Sequence, residues 1–304
     1  MQPLPTRDPQ PSIVRRPLGT KVNLLALVLI LAAAVCHATW NLLYKQASGG
    51  PEFVWMHTSV SAVLLGPLAL VVVLLQRQQF ATRIALAILV SALIHAVYFA
   101  LLRKSYEVGD LSLIYPLARG TGPALATGAA IFFLGERPTG IALAGCFLVV
   151  ASLLLFIGPL SGRNPWHAIL FGLLTGVSIG CYTVWDKFSV SRVKVEPLLM
   201  EWGITVGLSF LLAPLAASRW KEVRQHWRVQ RKRILGVGVL APLSYLLILT
   251  AMVFSPVSYI APAREISILI GVTMGTRVLA EGHPKRRLIA STMMICGVVA
   301  LAVG

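Results

Sequence analysis

Charge is scarce in this 304-residue sequence, and acidic charge is scarcest. Only 12% of the residues are charged, and 11 acidic residues stand against 27 lysines and arginines, so the formal net charge is +16. Hydrophobic residues make up 57% of the chain, which excludes an ordinary soluble globular protein. The basic residues lack interleaved aromatic platforms, so we expect anionic lipid headgroups rather than nucleic acid as their counter-charge.

Long polar segments and recognisable cofactor motifs are missing as well. The longest segments without an apolar run are residues 1–20, predicted to be a disordered tail, and Arg219–Arg233, predicted to be a loop. There is no GxxxxGK[ST] loop, which argues against ATP-driven transport, and neither an HExxH nor a clustered His/Asp set, which argues against a membrane-embedded enzyme acting on lipid. The four cysteines lack metal-binding spacing and are interpreted as small buried hydrophobes. We therefore expect neither a cofactor nor a metal.

Long apolar runs are what the sequence has in abundance. Ten runs are long enough to cross a bilayer, which takes about 17 to 25 residues. They lie near 22–44, 53–76, 84–102, 111–135, 139–161, 166–185, 198–218, 234–254, 256–280 and 287–304. The sequence thus predicts an all-α integral membrane protein with ten transmembrane helices.

The two halves of the sequence repeat each other. One offset aligns Arg119 with Arg264 and Glu136 with Glu281. The same offset aligns rows of small residues at every fourth position in the fourth and ninth spans: Gly122, Ala126 and Ala130, and Ser267, Gly271 and Gly275. Small residues let membrane helices approach closely, so we expect both spans to pack tightly.

The number of spans in each repeat determines how the repeats are related. Five is odd, so the second copy enters the membrane from the opposite side. We predict inverted-topology five-helix repeats over 21–161 and 162–304, an arrangement typical of alternating-access transporters. The two arginines then lie near the bilayer midplane. A lipid-facing arginine is costly there, so we expect both to face the bundle interior.

Five segments carry a family resemblance: HATWNLLYK, YPLARGTGP, FLGERPTG, YTVWDK and SYIAPAREISILIG. In this order, and with the repeat, they resemble the EamA family of the drug/metabolite transporter superfamily over about 22–304. The resemblance implies a central cavity, secondary transport without ATP, and cargo such as amino acids or toxic compounds, often exported across a bacterial inner membrane. The second repeat reads LAEGHP where the first keeps the family's LGE, and we expect this to loosen that turn.

Arg119 and Arg264 are the first candidates to line a substrate cavity, because a guanidinium stays charged and holds a carboxylate in a fixed fork. The alternative is a structural role, with each arginine bonding carbonyls freed by nearby prolines. Aromatic and polar side chains suit the walls of such a cavity. The candidates for these walls are Trp40, Asn41, Tyr115, Tyr182 and Trp185, with His37 and Lys45 in the same polar stripe as Asn41 and with His95 and Tyr98 as weaker candidates.

Three glutamates are assigned other roles. Glu265, inside the ninth span, is a candidate proton-coupling site, or else a fixed ion pair with an arginine or lysine of another helix. Glu136 and Glu281 end their helices and are interpreted as gate or loop-fixing residues.

The sequence therefore predicts a secondary transporter, expected to export a small molecule, and not an enzyme. A membrane-embedded lipid-modifying enzyme and a non-transporting membrane subunit remain as alternatives. A small-molecule substrate and membrane lipids are the expected partners, with a homodimer left open. The basic residues of the first half place both termini in the cytoplasm, but those of the second half favour the opposite orientation.

Overall fold

The computed structural model describes residues 24–47, 49–76, 82–121, 139–157, 165–254 and 265–303. These residues form ten α-helical segments, one short π-helix at Ser189–Val193, and no strand. The helices are α1 (Leu24–Ala47), α2 (Pro51–Gln76), α3 (Thr82–Val108), α4 (described over 111–121), α5 (Gly140–Ile157), α6 (Pro165–Phe188), α7 (Pro197–Ser218), α8 (Trp220–Phe254), α9 (Ile266–Val278) and α10 (Pro284–Val303). The predicted all-α fold with ten helices is confirmed. The N-terminal tail, Arg264, Glu136, Gly122, Ala126 and Ala130 lie outside the described residues.

The outer surface of the bundle is apolar. Within the described residues, five helices are long and apolar enough to cross a membrane: α1, α3, α7 and most of α2 and α6. Their outward faces carry large exposed side chains such as Leu75, Val63 and Phe210. Exposed apolar side chains of this kind are matched to hydrocarbon rather than to water.

Helix contacts in one half of the bundle have equivalents in the other half when α1–α5 are matched in order with α6–α10. Helix α1 packs on α8 as α6 packs on α3, and α2 packs on α8 as α7 packs on α3. Helices α2 and α7 contact each other directly, as do α5 and α10. The bundle therefore has an internal two-fold relationship between its halves.

The contact between α2 and α7 gives the direction of that relationship. The Ser59 hydroxyl donates to the Ser209 hydroxyl at 3.3 Å, and Trp202 Nε1 donates to the Ala62 carbonyl at 3.1 Å. Residue numbers rise along α2 as they fall along α7, so the two helices are antiparallel. Because α2 and α7 are the second helices of their halves, the two repeats are inverted, as the odd helix count predicts.

The loop predicted over Arg219–Arg233 is wrong, because this segment is the first part of α8. Only Arg219 separates α7 from α8, and its amide donates to the Leu215 and Ala216 carbonyls. The inward side chains Val223, His226 and Gln230 recur at helical spacing and continue into the apolar part of the helix. Lysine and arginine are good helix formers, and their charge hid this period from a search for apolar runs.

The prediction of buried cysteines is also wrong for two of them. Cys181 and Cys296 are exposed on the helix surface, whereas Cys36 is partly buried. The side chain of Cys146 is not described. A cysteine behaves as a small hydrophobe, so hydrocarbon accepts it on the outside of the bundle as readily as the core does.

Candidate functional site

A buried ion pair joins the two halves of the molecule. Arg119 lies near the end of the described part of α4, and Glu265 directly precedes α9. The distance from Arg119 Nη2 to Glu265 Oε1 is 3.2 Å, and the two side chains are 10% and 11% exposed. Glu265 is therefore paired with an arginine of another helix, one of the two arrangements that the sequence left open.

This ion pair is incompletely hydrogen-bonded. Arg119 Nε and Glu265 Oε2 are buried and have no hydrogen-bond partner among the described residues. Arg119 Nη1 lies 3.2 Å from His37 Nε2, while Trp40 Nε1 donates to His37 Nδ1 at 3.2 Å. A neutral imidazole has one acceptor nitrogen, so the two donors compete for it. Unsatisfied buried charge is costly, and these atoms mark where a polar ligand would gain most.

A continuous row of rings runs from this ion pair across α1 and α3 to α6. Its successive members, in order, are Tyr115, His37, Trp40, Tyr44, Phe99, Tyr98, Tyr182 and His95, with neighbouring centroids 4.3 to 6.4 Å apart. Arg119 Nη1 lies 3.2 Å from Nε2 of His37, which is a member of the row. The row draws on both repeats and forms an aromatic wall beside the ion pair.

The remaining candidates from the sequence lie at different distances from this wall. Asn41 is buried next to it, where its amide donates to the His37 carbonyl at 2.9 Å and accepts from the Tyr106 hydroxyl at 2.8 Å. Trp185 donates to the Ala87 carbonyl at 2.9 Å and packs with a separate cluster between α3 and α7. The structure thus brings Trp40, Asn41, Tyr115 and Tyr182 together and places Trp185 apart.

Phe99, His57 and Tyr106 belong to this region and were missed in the sequence. Phe99 connects the rings of α1 with those of α3. His57 is fully buried against Tyr44, Phe53 and Phe99, and neither of its ring nitrogens has a hydrogen-bond partner in the described part of the chain. A histidine inside an apolar span was the available signal for His57, whereas a phenylalanine in a membrane helix gives none.

The small residues of α9 allow a close approach to α4. A Cβ atom added at Gly271 would lie 2.7 Å from the Tyr115 ring, and one added at Gly275 would lie 2.9 Å from Ser112. Ser267 is buried on the same helix. Residue numbers rise along α9 as they fall along α4, so this antiparallel contact sets Glu265 opposite Arg119.

Glu281 caps the helix that carries Arg119. Its Oε1 accepts from the Leu111 amide at 2.7 Å and its Oε2 from the Ser112 amide at 2.8 Å, so a carboxylate of the second half satisfies the first amides of α4. Arg287 pairs with Asp110 at 2.5 Å and with Glu281 at 3.4 Å. These groups connect the start of α4 to the turn between α9 and α10.

The turn between α9 and α10, which was expected to be loose, is held in place. The Glu281 amide donates to the Gly275 carbonyl at 3.2 Å, in addition to the bonds of its carboxylate. The turn contains two left-handed residues, Ala280 at φ 53° and His283 at φ 62°. In the first half, the Lys45 ammonium donates to the carbonyls of Tyr106 and Gly109 at the end of α3.

The chain is similar to known proteins in sequence and in fold. A family model described as the EamA-like transporter family matches residues 24–158 and 166–303. A solved structure described as "Crystal structure of protein" superposes with a TM-score of 0.54 at 14% identity, and the match covers 90% of this chain and 95% of that one. At this identity the likeness shows the fold alone. No curated protein matches the sequence.

Proposed function

Because the chain belongs to the EamA-like transporter family, we propose that it exports small zwitterionic metabolites, such as amino acids, across a bacterial inner membrane. Transport is secondary and proceeds by alternating access between the repeats placed at 21–161 and 162–304. The observation that carries this proposal is the buried Arg119–Glu265 ion pair between the two halves. Because each repeat supplies one partner of this ion pair, a rocking motion of the two repeats would form and break it.

The open atoms of the pair favour a zwitterion as substrate. Arg119 Nε is a donor without a partner among the described residues, and Glu265 Oε2 is an acceptor without one. A carboxylate on the first and an ammonium on the second would satisfy both buried charges. The aromatic wall from Tyr115 to Tyr182 would contact the apolar part of the same molecule.

Proton coupling follows from competition for Glu265. When Glu265 is ionised, its Oε2 accepts the substrate ammonium while Arg119 holds the substrate carboxylate. When Glu265 takes up a proton, the ammonium loses its counter-charge and the substrate is released, and loss of the proton restores the ion pair with Arg119. Proton and substrate thereby occupy Glu265 in alternation, so that entry of a proton is exchanged for export of a substrate.

The test is transport in proteoliposomes loaded with a mixed pool of labelled amino acids, with and without an imposed proton gradient. We expect Arg119→Gln to lower transport at least tenfold. Glu265→Gln should keep substrate exchange but lose the response to the gradient. The double variant Arg103→Gln/Glu107→Gln serves as the control, because it removes an ion pair on the surface of α3 and should behave as wild type.

Three outcomes would contradict the proposal. Unchanged gradient response in Glu265→Gln would remove this residue from coupling. Unchanged transport in both single variants would make the ion pair structural. If no compound moved, and none raised the melting temperature of the purified protein, a lipid-modifying enzyme or a non-transporting subunit would become the better hypothesis. Circular dichroism of each variant shows that it has folded.

A further inference from the structure

A groove on the outside of the bundle, away from the Arg119 site, combines apolar side chains with two arginines. It lies between α2 and the first part of α8 and encloses about 600 Å³. Its floor is apolar and includes Val60, Val63 and Leu64 of α2. Its rim carries Arg224 and Arg228, one helical turn apart on α8.

The position of the groove along α8 sets its depth in the membrane. Helix α8 has 35 residues, or about 52 Å at the helical rise, whereas the hydrocarbon core of a bilayer is about 30 Å thick. Residues 234–254 contain no charge, while 220–233 contain six lysines and arginines and one glutamate. The charge-free part fits the hydrocarbon, so the basic part lies at the headgroups. The groove crosses this boundary, because Leu235 also lines it.

The tryptophans of the groove agree with this depth. Trp55, Trp220 and Trp227 all line it, and the Trp55 and Trp220 rings are 6.4 Å apart. Indole rings concentrate where headgroups meet hydrocarbon. The Arg224 guanidinium lies over the Trp220 ring at 5.7 Å, which directs the positive charge along the rim.

We propose that this groove binds one molecule of an anionic phospholipid. The phosphate lies between Arg224 and Arg228, whose guanidinium groups match its oxygens, and an acyl chain follows Val60, Val63 and Leu64 toward the membrane interior. Charge complementarity favours this occupant over a second copy of the chain, because a symmetric contact at the groove would bring two such basic helix segments together.

The experiment compares lipids of equal chain length on delipidated protein in detergent. Dioleoylphosphatidylglycerol or dioleoylphosphatidylcholine is added, and bound lipid is counted by native mass spectrometry and by the shift in melting temperature. We expect wild type to retain one phosphatidylglycerol with at least tenfold preference. Arg224→Gln/Arg228→Gln should lose this preference. Arg231→Gln/Lys232→Gln is the matched control, since it removes two charges from the same helix outside the groove, and should keep it.

A third variant separates the groove from general surface charge. Val63 is 75% exposed, so Val63→Trp fills the groove without disturbing the core. It leaves both arginines in place, and we expect it to lose the bound lipid. Equal losses in the test and control charge variants would overturn the proposal, as would retention of lipid by Val63→Trp. So would equal stabilisation by inorganic phosphate, or a dimer mass that Val63→Trp abolishes.

Discussion

The Arg119 guanidinium contacts side chains from both halves of the molecule. Arg119 contacts Glu265 of the other half and His37 of α1. Replacing one partner of a buried ion pair leaves the other charge uncompensated and typically costs about 3–5 kcal/mol. Loss of transport in a single variant therefore needs a folding control. The charge reversal Arg119→Glu/Glu265→Arg provides one, because it restores the pair without restoring the orientation that a substrate requires.

Ala280 is a second residue with an effect of its own, which is backbone strain. Its φ of 53° lies in the left-handed region, and the aligned position of the first repeat is Gly135. The left-handed conformation costs a non-glycine residue about 1–2 kcal/mol, whereas glycine adds about 0.4–1 kcal/mol of unfolded-state entropy. We expect Ala280→Gly to raise the free energy of unfolding by about 0.5–1 kcal/mol, measured by denaturant unfolding in detergent.

The control for Ala280→Gly is Ala85→Gly. Ala85 is exposed inside α3, where glycine should lower stability by about 0.5–1 kcal/mol. A loss of stability in both variants would show that the turn at Ala280 is not strained.

Among the elements, α8 departs furthest from what its composition suggests. It joins a basic segment to an apolar one in a single helix, and its first turns contact the end of α1 and the start of α2. Glu52 lies 3.4 Å from His226 and 3.7 Å from Arg219, and Gln230 donates to the Ala47 carbonyl at 2.9 Å. These contacts hold the basic segment against the bundle.

Proline scanning tests the continuity of α8. Gln225 is exposed in the middle of the basic segment. A proline there removes a helical hydrogen bond and clashes with the preceding turn, at a cost of about 3 kcal/mol or more. We expect Gln225→Pro to lower the melting temperature strongly and Gln225→Ala to leave it near that of wild type. Equal melting temperatures for the two variants would mean that this segment is a loop.

At the scale of the whole molecule, the inverted repeat determines which helices meet. Helices in equivalent positions, such as α2 and α7, approach each other across the internal two-fold axis and must be antiparallel. The same relationship sets α4 against α9 and so brings Arg119 to Glu265. The candidate site therefore lies where the two repeats face each other.

Cross-linking tests this arrangement in a background with all four cysteines replaced by alanine. Cysteine pairs at Ser59/Ser209 and Gly66/Trp202 should react with a short bifunctional thiol reagent, because these positions face each other. The same four positions paired as Ser59/Trp202 and Gly66/Ser209 are the control. They should not react, since each partner is displaced by seven residues, or about 10 Å of helix. Preferential reaction of the control pairs would indicate parallel helices.

Much of the fold could be predicted because the membrane restricts the choices. Hydrocarbon offers no hydrogen-bond partner to a backbone, so long apolar runs are helices, and ten such runs were visible. The repeat aligned Arg119 with Arg264 and Ser267, Gly271 and Gly275 with their counterparts in the first half. The basic part of α8 was missed because its inward-facing residues are not all apolar. A search for apolar runs therefore does not detect their helical period.

The sequence by itself determined the environment, the number of helices and the inverted repeat, since these follow from apolar length and from self-similarity within one chain. Only the tertiary structure decided that Glu265 faces Arg119, that Glu281 caps α4, and that eight rings form one wall. Each of these features brings together helices that are far apart in the chain. Their meeting depends on the packing of whole helices, which local periodicity does not specify.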